Sequence, residues 1–261
     1  MDPTQDVLDA LILAVKGQVE DNRLALLFSG GLDSSVLAAV AAEFGNPTLY
    51  TVGVEGSHDL SVAEDTAASL DMPWVGLVMD ETEIMSSIVL VSRLISTSNP
   101  ITISFEIPLL RVSENAGEGL LMSGQGADEL FGGYARYLKM SMSELREGMN
   151  RDLRSLLEDG ARNERHIAEY HGKRICHPFL HPRVIDAACA IPVDEHVRNG
   201  VRKAVLRDVA LCLNLGEIAA REKKAAQYGS GIMKAMKAAA RRERMTLATF
   251  IEDLVRRRES P

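Results

Sequence analysis

Three cysteines in 261 residues, Cys176, Cys189 and Cys212, form no Cys-x-x-Cys pair, so neither a disulfide framework nor a zinc ribbon is expected. Cys176 and Cys189 lie in apolar stretches, where a structural role is expected. No run of about 18 apolar residues occurs, and no membrane span is expected. The opening MDPTQDVLDA lacks a basic region and a long apolar one, so no signal peptide is expected and the cytoplasm is the expected setting. Aromatics are only 5% of the chain, which with its net charge of −8 weighs against nucleic acid as a partner. Cations are scarce at first: residues 1–133 hold 4 Lys and Arg against 20 Asp and Glu, a balance of −16, and residues 134–261 hold 25 against 17, a balance of +8. Most of these charges read as solvated faces. The sharper reading is that the basic half supplies cations to an anionic ligand bound by the first half.

A hydrophobic content of 46% is ample for one sizeable core. Residues 2–19 read as a helix, with Asp2 as N-cap, Pro3 at the first position and Gln5 completing a capping box. Arg23–Phe28 is a short continuous apolar run, the pattern of a strand buried on both faces. Helices over 33–44, 59–70, 81–95 and 105–115 alternate with strands over 48–54, 74–79 and 119–122, and Pro100 is expected to break the chain. This alternation predicts an α/β fold, a parallel sheet with helices on both faces. After Tyr134 long helical patterns dominate. The division expected is an N-terminal helix over 1–20, an α/β core over 21–140 and a helical region over 141–261 packed on it. His166, His171, His177 and His181 match no zinc spacing, and His177 and His181 flank a Pro-Phe-Leu turn expected to pack that region onto the sheet.

Two stretches begin where a strand ends, and in parallel sheets ligands collect at that rim. The first runs Leu27-Phe28-Ser29-Gly30-Gly31-Leu32-Asp33-Ser34-Ser35. Glycines allow close backbone approach, the helix start leaves N–H groups free, and its dipole favours an anion. Ser29, Ser34 and Ser35 add hydroxyl donors. No Walker A lysine pattern occurs. Asp33 beside an anion needs a cation between them, which suits Mg²⁺; the plainer reading is a helix cap. The second stretch is Leu121-Met122-Ser123-Gly124-Gln125-Gly126-Ala127-Asp128-Glu129-Leu130-Phe131-Gly132-Gly133-Tyr134, again strand, glycine turn and helix start, with Asp128 as a second carboxylate.

SGGLDSS resembles the signature of pyrophosphatase-loop (PP-loop) ATP enzymes, which cleave between the α and β phosphates. The second stretch resembles the second signature of asparagine synthetases. Together they resemble the synthetase domain of that family from about residue 20 to about 232. The resemblance extends to Val52-Gly53 with Gly56-Ser57 and Asp59, where Val52 would meet adenine. It includes Pro178-Phe179-Leu180, with His181 replacing an acid, and Arg202-Lys203 with Leu206-Arg207. It ends at Arg221-Glu222-Lys223 with Gly229-Ser230-Gly231.

The resemblance implies the adenine nucleotide alpha hydrolase-like fold, with ATP and Mg²⁺ as cofactors. ATP contacts would come from Leu27, Ser29, Gly30, Gly31, Asp33, Ser34, Ser35, Val52, Gly53, Ser123, Gly124 and Gln125. Metal ligands would be Asp33 and Asp128, and Lys223 would be the cation over the pyrophosphate. The implied reaction adenylates a carboxylate, aspartate in the parent family, and releases AMP when ammonia attacks. Lys223, Asp33 and Asp128 would be catalytic, with no covalent enzyme intermediate. Three departures matter. The family's N-terminal glutaminase domain does not precede Met1, so free ammonia or a separate glutaminase subunit is expected. Gln125 replaces a glutamate viewed as assisting proton removal from nitrogen. The segment ITISFEIP keeps only the outline of the family's substrate segment. A homodimer is the other protein partner considered. Two rival readings are a tRNA-modifying PP-loop enzyme and a non-catalytic ATP-binding subunit.

Overall fold

The computed structural model describes residues 2–19, 23–221 and 229–257. In chain order the elements begin with α1 (Pro3–Lys16), β1 (Arg23–Leu27), α2 (Leu32–Ala42), β2 (Asn46–Gly53), α3 (His58–Ser69) and β3 (Trp74–Val78). Then come α4 (Glu81–Leu94), α5 (Pro100–Asn115), β4 (Leu120–Met122), α6 (Ala127–Leu130), α7 (Met142–Ser155), α8 (Ala161–Tyr170) and β5 (Arg174–Cys176). The chain continues through α9 (Pro182–Cys189), α10 (Val193–His196), β6 (Val197–Arg198), β7 (Val201–Arg202), α11 (Ala204–Cys212), α12 (Gly216–Ala220), α13 (Ile232–Arg242) and α14 (Leu247–Arg257).

The first five strands form one parallel sheet in the order β3-β2-β1-β4-β5. Strand side chains alternate between faces. Leu24, Leu26, Leu49, Leu120 and Met122 enter a core with α1, α2, α9 and α11. Ala25, Tyr50, Val52 and Leu121 enter a second core with α4, α5, α8, α13 and α14. Both faces are therefore buried, which is why the strands read as unbroken apolar runs. The predicted α/β fold is the one observed. No helix among the described residues is long and apolar enough to cross a membrane.

Local chemistry explains where the sequence reading slips. Asp2 caps α1 by accepting from the Thr4 N–H, but Gln5 donates to Asp9 Oδ1 at 2.7 Å instead of reaching back, so no capping box forms. Pro100 starts α5 instead of breaking the chain: Asn99 accepts from the N–H groups of Ile101 and Thr102, and proline at the first helical position loses no bond. The stretch read as a helical region supplies the fifth strand, Arg174–Cys176, three residues long. It also holds an antiparallel hairpin, β6–β7, turned by Asn199 and Gly200, both at positive φ, as a two-residue type I′ turn requires. Cys176 is buried, which pushes its thiol up to about 12, whereas Cys189 is exposed and departs from its apolar expectation.

Candidate functional site

β1 and β4 are neighbours, in register at Ala25 with Leu121 and Leu26 with Met122. From β1 the chain moves outward to β2 and β3, then returns to β4 on the other side. The sheet's topological switch point therefore lies between the ends of β1 and β4, where open α/β sheets have their crevice. Both signature stretches begin there.

The first loop is internally bonded. The Ser29 N–H donates to Ser34 Oγ at 3.3 Å, and Ser34 Oγ donates to the Gly31 carbonyl at 3.3 Å. Ser35 Oγ is buried with no hydrogen-bond partner among the described residues. The α2 cap, Gly31, has no side chain to bond the helix's first N–H groups. Gly30 has φ +69° and lies against α3. A Cβ there would be 2.8 Å from the Val62 carbonyl oxygen and 3.0 Å from Thr66 Oγ1, so both its conformation and its surroundings require glycine.

The second loop abuts the first: a Cβ on Gly124 would be 3.6 Å from Asp33 Cβ and 3.9 Å from the Ser34 nitrogen. Ser123 is buried, and its Oγ accepts from the Gln125 N–H at 3.2 Å. Leu27 ends β1, and Val52 and Gly53 end the adjacent β2. Thr51 Oγ1 ties these strands by donating to the Phe28 carbonyl at 2.6 Å. The Val52 side chain is buried in the second core, and Val52 and Gly53 pair with Leu77 and Val78 of β3.

Asp33 and Asp128 converge on one cation. Lys203 Nζ lies 2.5 Å from Asp33 Oδ1 and 2.7 Å from Asp128 Oδ1. The lysine side chain is 2% exposed, and the two carboxylates are 23% and 26% exposed. Burial works against its charge, but the two carboxylates prevail and hold its pKa above the ordinary lysine value. Lys203 is delivered by the β6–β7 hairpin and adopts φ +58°, a left-handed conformation rare outside glycine, just before α11. Gly133 gives the group room: a Cβ there would fall 1.8 Å from Asp128 Oδ1 and 2.2 Å from Lys203 Cε. Sequence reasoning had Lys203 only as part of a helix match. The Asn199-Gly200 pair was the available sign that a hairpin precedes it.

Lys223 lies outside the described residues. The described residues that flank this segment, Arg221 and Ser230, are hydrogen-bonded near the rim. Arg221 donates to Thr66 Oγ1 at 2.7 Å, beside Gly30, while Arg207 donates to the Arg221 carbonyl at 2.9 Å. On the other side the Val54 N–H donates to the Ser230 carbonyl at 2.9 Å. Burial raises the pKa of Asp59, next to Gly229, to about 6. His181, where the resemblance expects an acid, caps α9: its Nδ1 accepts from the Arg183 N–H at 3.3 Å, the service an acid gives at a helix start.

The fold and site define an open parallel α/β protein whose glycine loop opens at the switch point. Its family is fixed by comparison: the asparagine synthase model matches residues 6–146 and 139–253, and the chain belongs to that family. A Methanocaldococcus jannaschii protein, by name a glutamine-hydrolysing asparagine synthetase, is 32% identical over 249 residues, covering 80% of this chain and 46% of its own. Asparagine synthetase B of Escherichia coli is 29% identical, covering 87% of this chain and 45% of its own. The human asparagine synthetase is 30% identical, covering 82% and 41%. The chain thus spans under half the length of these relatives. A solved structure from M. jannaschii described as a tRNA methyltransferase subunit covers 78% of this chain and 94% of its own at 16% identity. Its TM-score of 0.38 is too low to bear on fold or function.

Proposed function

We propose that the chain is an ATP-dependent, AMP- and pyrophosphate-forming amide ligase that joins ammonia to a carboxylate, aspartate being the substrate the family suggests. The observation that carries this reading is the convergence of Asp33 and Asp128 on one cation at the glycine loop. Two carboxylate oxygens directed at one point suit Mg²⁺, which commonly takes one or two carboxylates and completes its shell with phosphates and water. No group of three or more His, Cys, Asp or Glu side chains among the described residues could hold a metal alone, in keeping with a metal that arrives with its nucleotide. When bound, Mg²⁺ would supply charge neutralisation at the phosphates.

The substrate carboxylate attacks the α-phosphorus of ATP, forming an acyl-adenylate and releasing pyrophosphate. The N–H groups at the start of α2 face the negative charge, as would Lys223, and Lys203 keeps Asp33 and Asp128 oriented. Ammonia then attacks the acyl carbon and AMP departs. The test is pyrophosphate release from MgATP with aspartate, with and without ammonium. Aspartate-dependent release, with asparagine formed only when ammonium is present, is expected. Nucleotide binding with no release under either condition would favour the non-catalytic subunit.

A further inference from the structure

Beside Ser123 lies a second polar cluster, whose carboxylates the adenylation step does not use. Ser123 Oγ donates to Glu164 Oε1 at 3.5 Å, and Glu164 Oε2 is 2.7 Å from His177 Nε2. The Glu164 and His177 side chains retain only 4% and 9% exposure. Glu106 of α5 is 3% exposed, and its Oε2 has no hydrogen-bond partner among the described residues. Burial, with the nearby Glu164 charge added, pushes the Glu106 carboxyl well above the usual carboxylate range. Gln125 Oε1 is also buried with no partner among the described residues, and its side chain lies against Gly160, just ahead of the helix that carries Glu164.

A carboxylate buried beside another of like charge is costly, as is a buried acceptor with nothing to accept. One small cation rich in N–H donors relieves both. An ammonium ion has four N–H groups for Glu106, Glu164 and the Gln125 carbonyl. The cluster is also close to the reaction: Gly124, next to Ser123, packs on Asp33 and Ser34 of the phosphate loop.

We propose that Glu106 and Glu164, the latter held by His177, bind the nitrogen nucleophile as ammonium and take its protons. This rests on the amide-ligase reading and names the site of its second step. Ammonium gives one proton to Glu164. Its lone pair forms the C–N bond, the C–O bond to the adenylate phosphate breaks, and that electron pair leaves with AMP. The remaining surplus proton passes to Glu106, leaving a neutral amide. Glu164 thereby provides the proton acceptor that Gln125 cannot.

The experiment uses the full chain with MgATP and aspartate, and compares ammonium chloride with hydroxylamine, which is already unprotonated at neutral pH. In Glu164→Gln, aspartate-dependent ATP–pyrophosphate exchange should stay within about twofold of wild type while asparagine formation from ammonium falls about 100-fold, the range of a lost general base. Hydroxamate formation should fall far less. In Glu106→Gln, KM for ammonium should rise about tenfold, or 1.4 kcal/mol, with KM for aspartate unchanged. Equal loss of amide and hydroxamate in Glu164→Gln, or no loss of either, overturns the proposal. So does a rise in KM for aspartate alone, which would assign the cluster to the amino acid's own ammonium group. Absence of aspartate-dependent exchange in the wild type itself overturns the ligase reading, and the inference with it.

Discussion

Lys203 and Asp33, 170 residues apart in sequence, are 2.5 Å apart in the fold, and Asp128 meets the same ammonium. This contact joins the two signature loops through a residue belonging to neither. Removing the lysine takes away the cation that Asp33 and Asp128 share. Because each is about a quarter exposed, Lys203→Ala should cost about 3 kcal/mol, the low end for breaking a buried ion pair. Urea denaturation measures this. Mg²⁺ alone should raise the melting temperature of the variant more than that of wild type, because it can replace the shared Lys203 cation between Asp33 and Asp128.

Asp33→Asn keeps the shape of the side chain and leaves Lys203 its Asp128 partner, so the fold should persist with a lowered melting temperature. Pyrophosphate release should fall by about 100-fold or more, as when a transition-state charge contact is lost. Lys223→Ala should lose release to a similar degree. Unchanged turnover in either variant removes that residue from the site.

The fold and both loops were largely legible in the sequence, and the contacts between them were not. The runs at 23–28 and 48–54 announce strands because both faces are covered, and the two glycine stretches fall side by side because β1 and β4, the strands they follow, are neighbours in the sheet. β5 escaped notice because three residues flanked by Lys173 and led by Arg174 carry no periodicity. Lys203 and the Glu164–His177 pair escaped because their partners are distant in sequence, and charge count alone cannot pair them. Asp33 drew notice for a chemical reason, a carboxylate in a glycine loop at a helix start, and the cation it meets in the fold is Lys203.

Gly133→Ala tests the tightness of the ion pair's surroundings. A methyl placed 1.8 Å from Asp128 Oδ1 must displace it, and a loss of about 1–3 kcal/mol is expected, with reduced pyrophosphate release. Gly117→Ala, where nothing lies within 4 Å and φ is unexceptional, is the matched control and should be neutral in both assays.

His196 packs edge-on to Phe131, just past the Asp128 helix, and burial lowers its pKa to about 4 from 6.5. A histidine held neutral stabilises the fold above pH 6.5, and that contribution is lost as pH falls through 6.5 toward 4. The loss should amount to something on the order of 3 kcal/mol. Melting temperatures followed from pH 7 to pH 4 should fall more steeply for wild type than for His196→Asn.

The β1–β4 pairing carries a consequence for synthesis of the chain. Residue 25 leaves the ribosome long before residue 121, its partner at the switch point, and Lys203 follows later still. Sheets assembled from such distant segments fold slowly. The Lys203 ammonium that joins Asp33 to Asp128 arrives only once the Asn199-Gly200 hairpin has turned, so this link between the two loops closes late. Nucleotide capture by a growing chain would then report that translation has passed the hairpin.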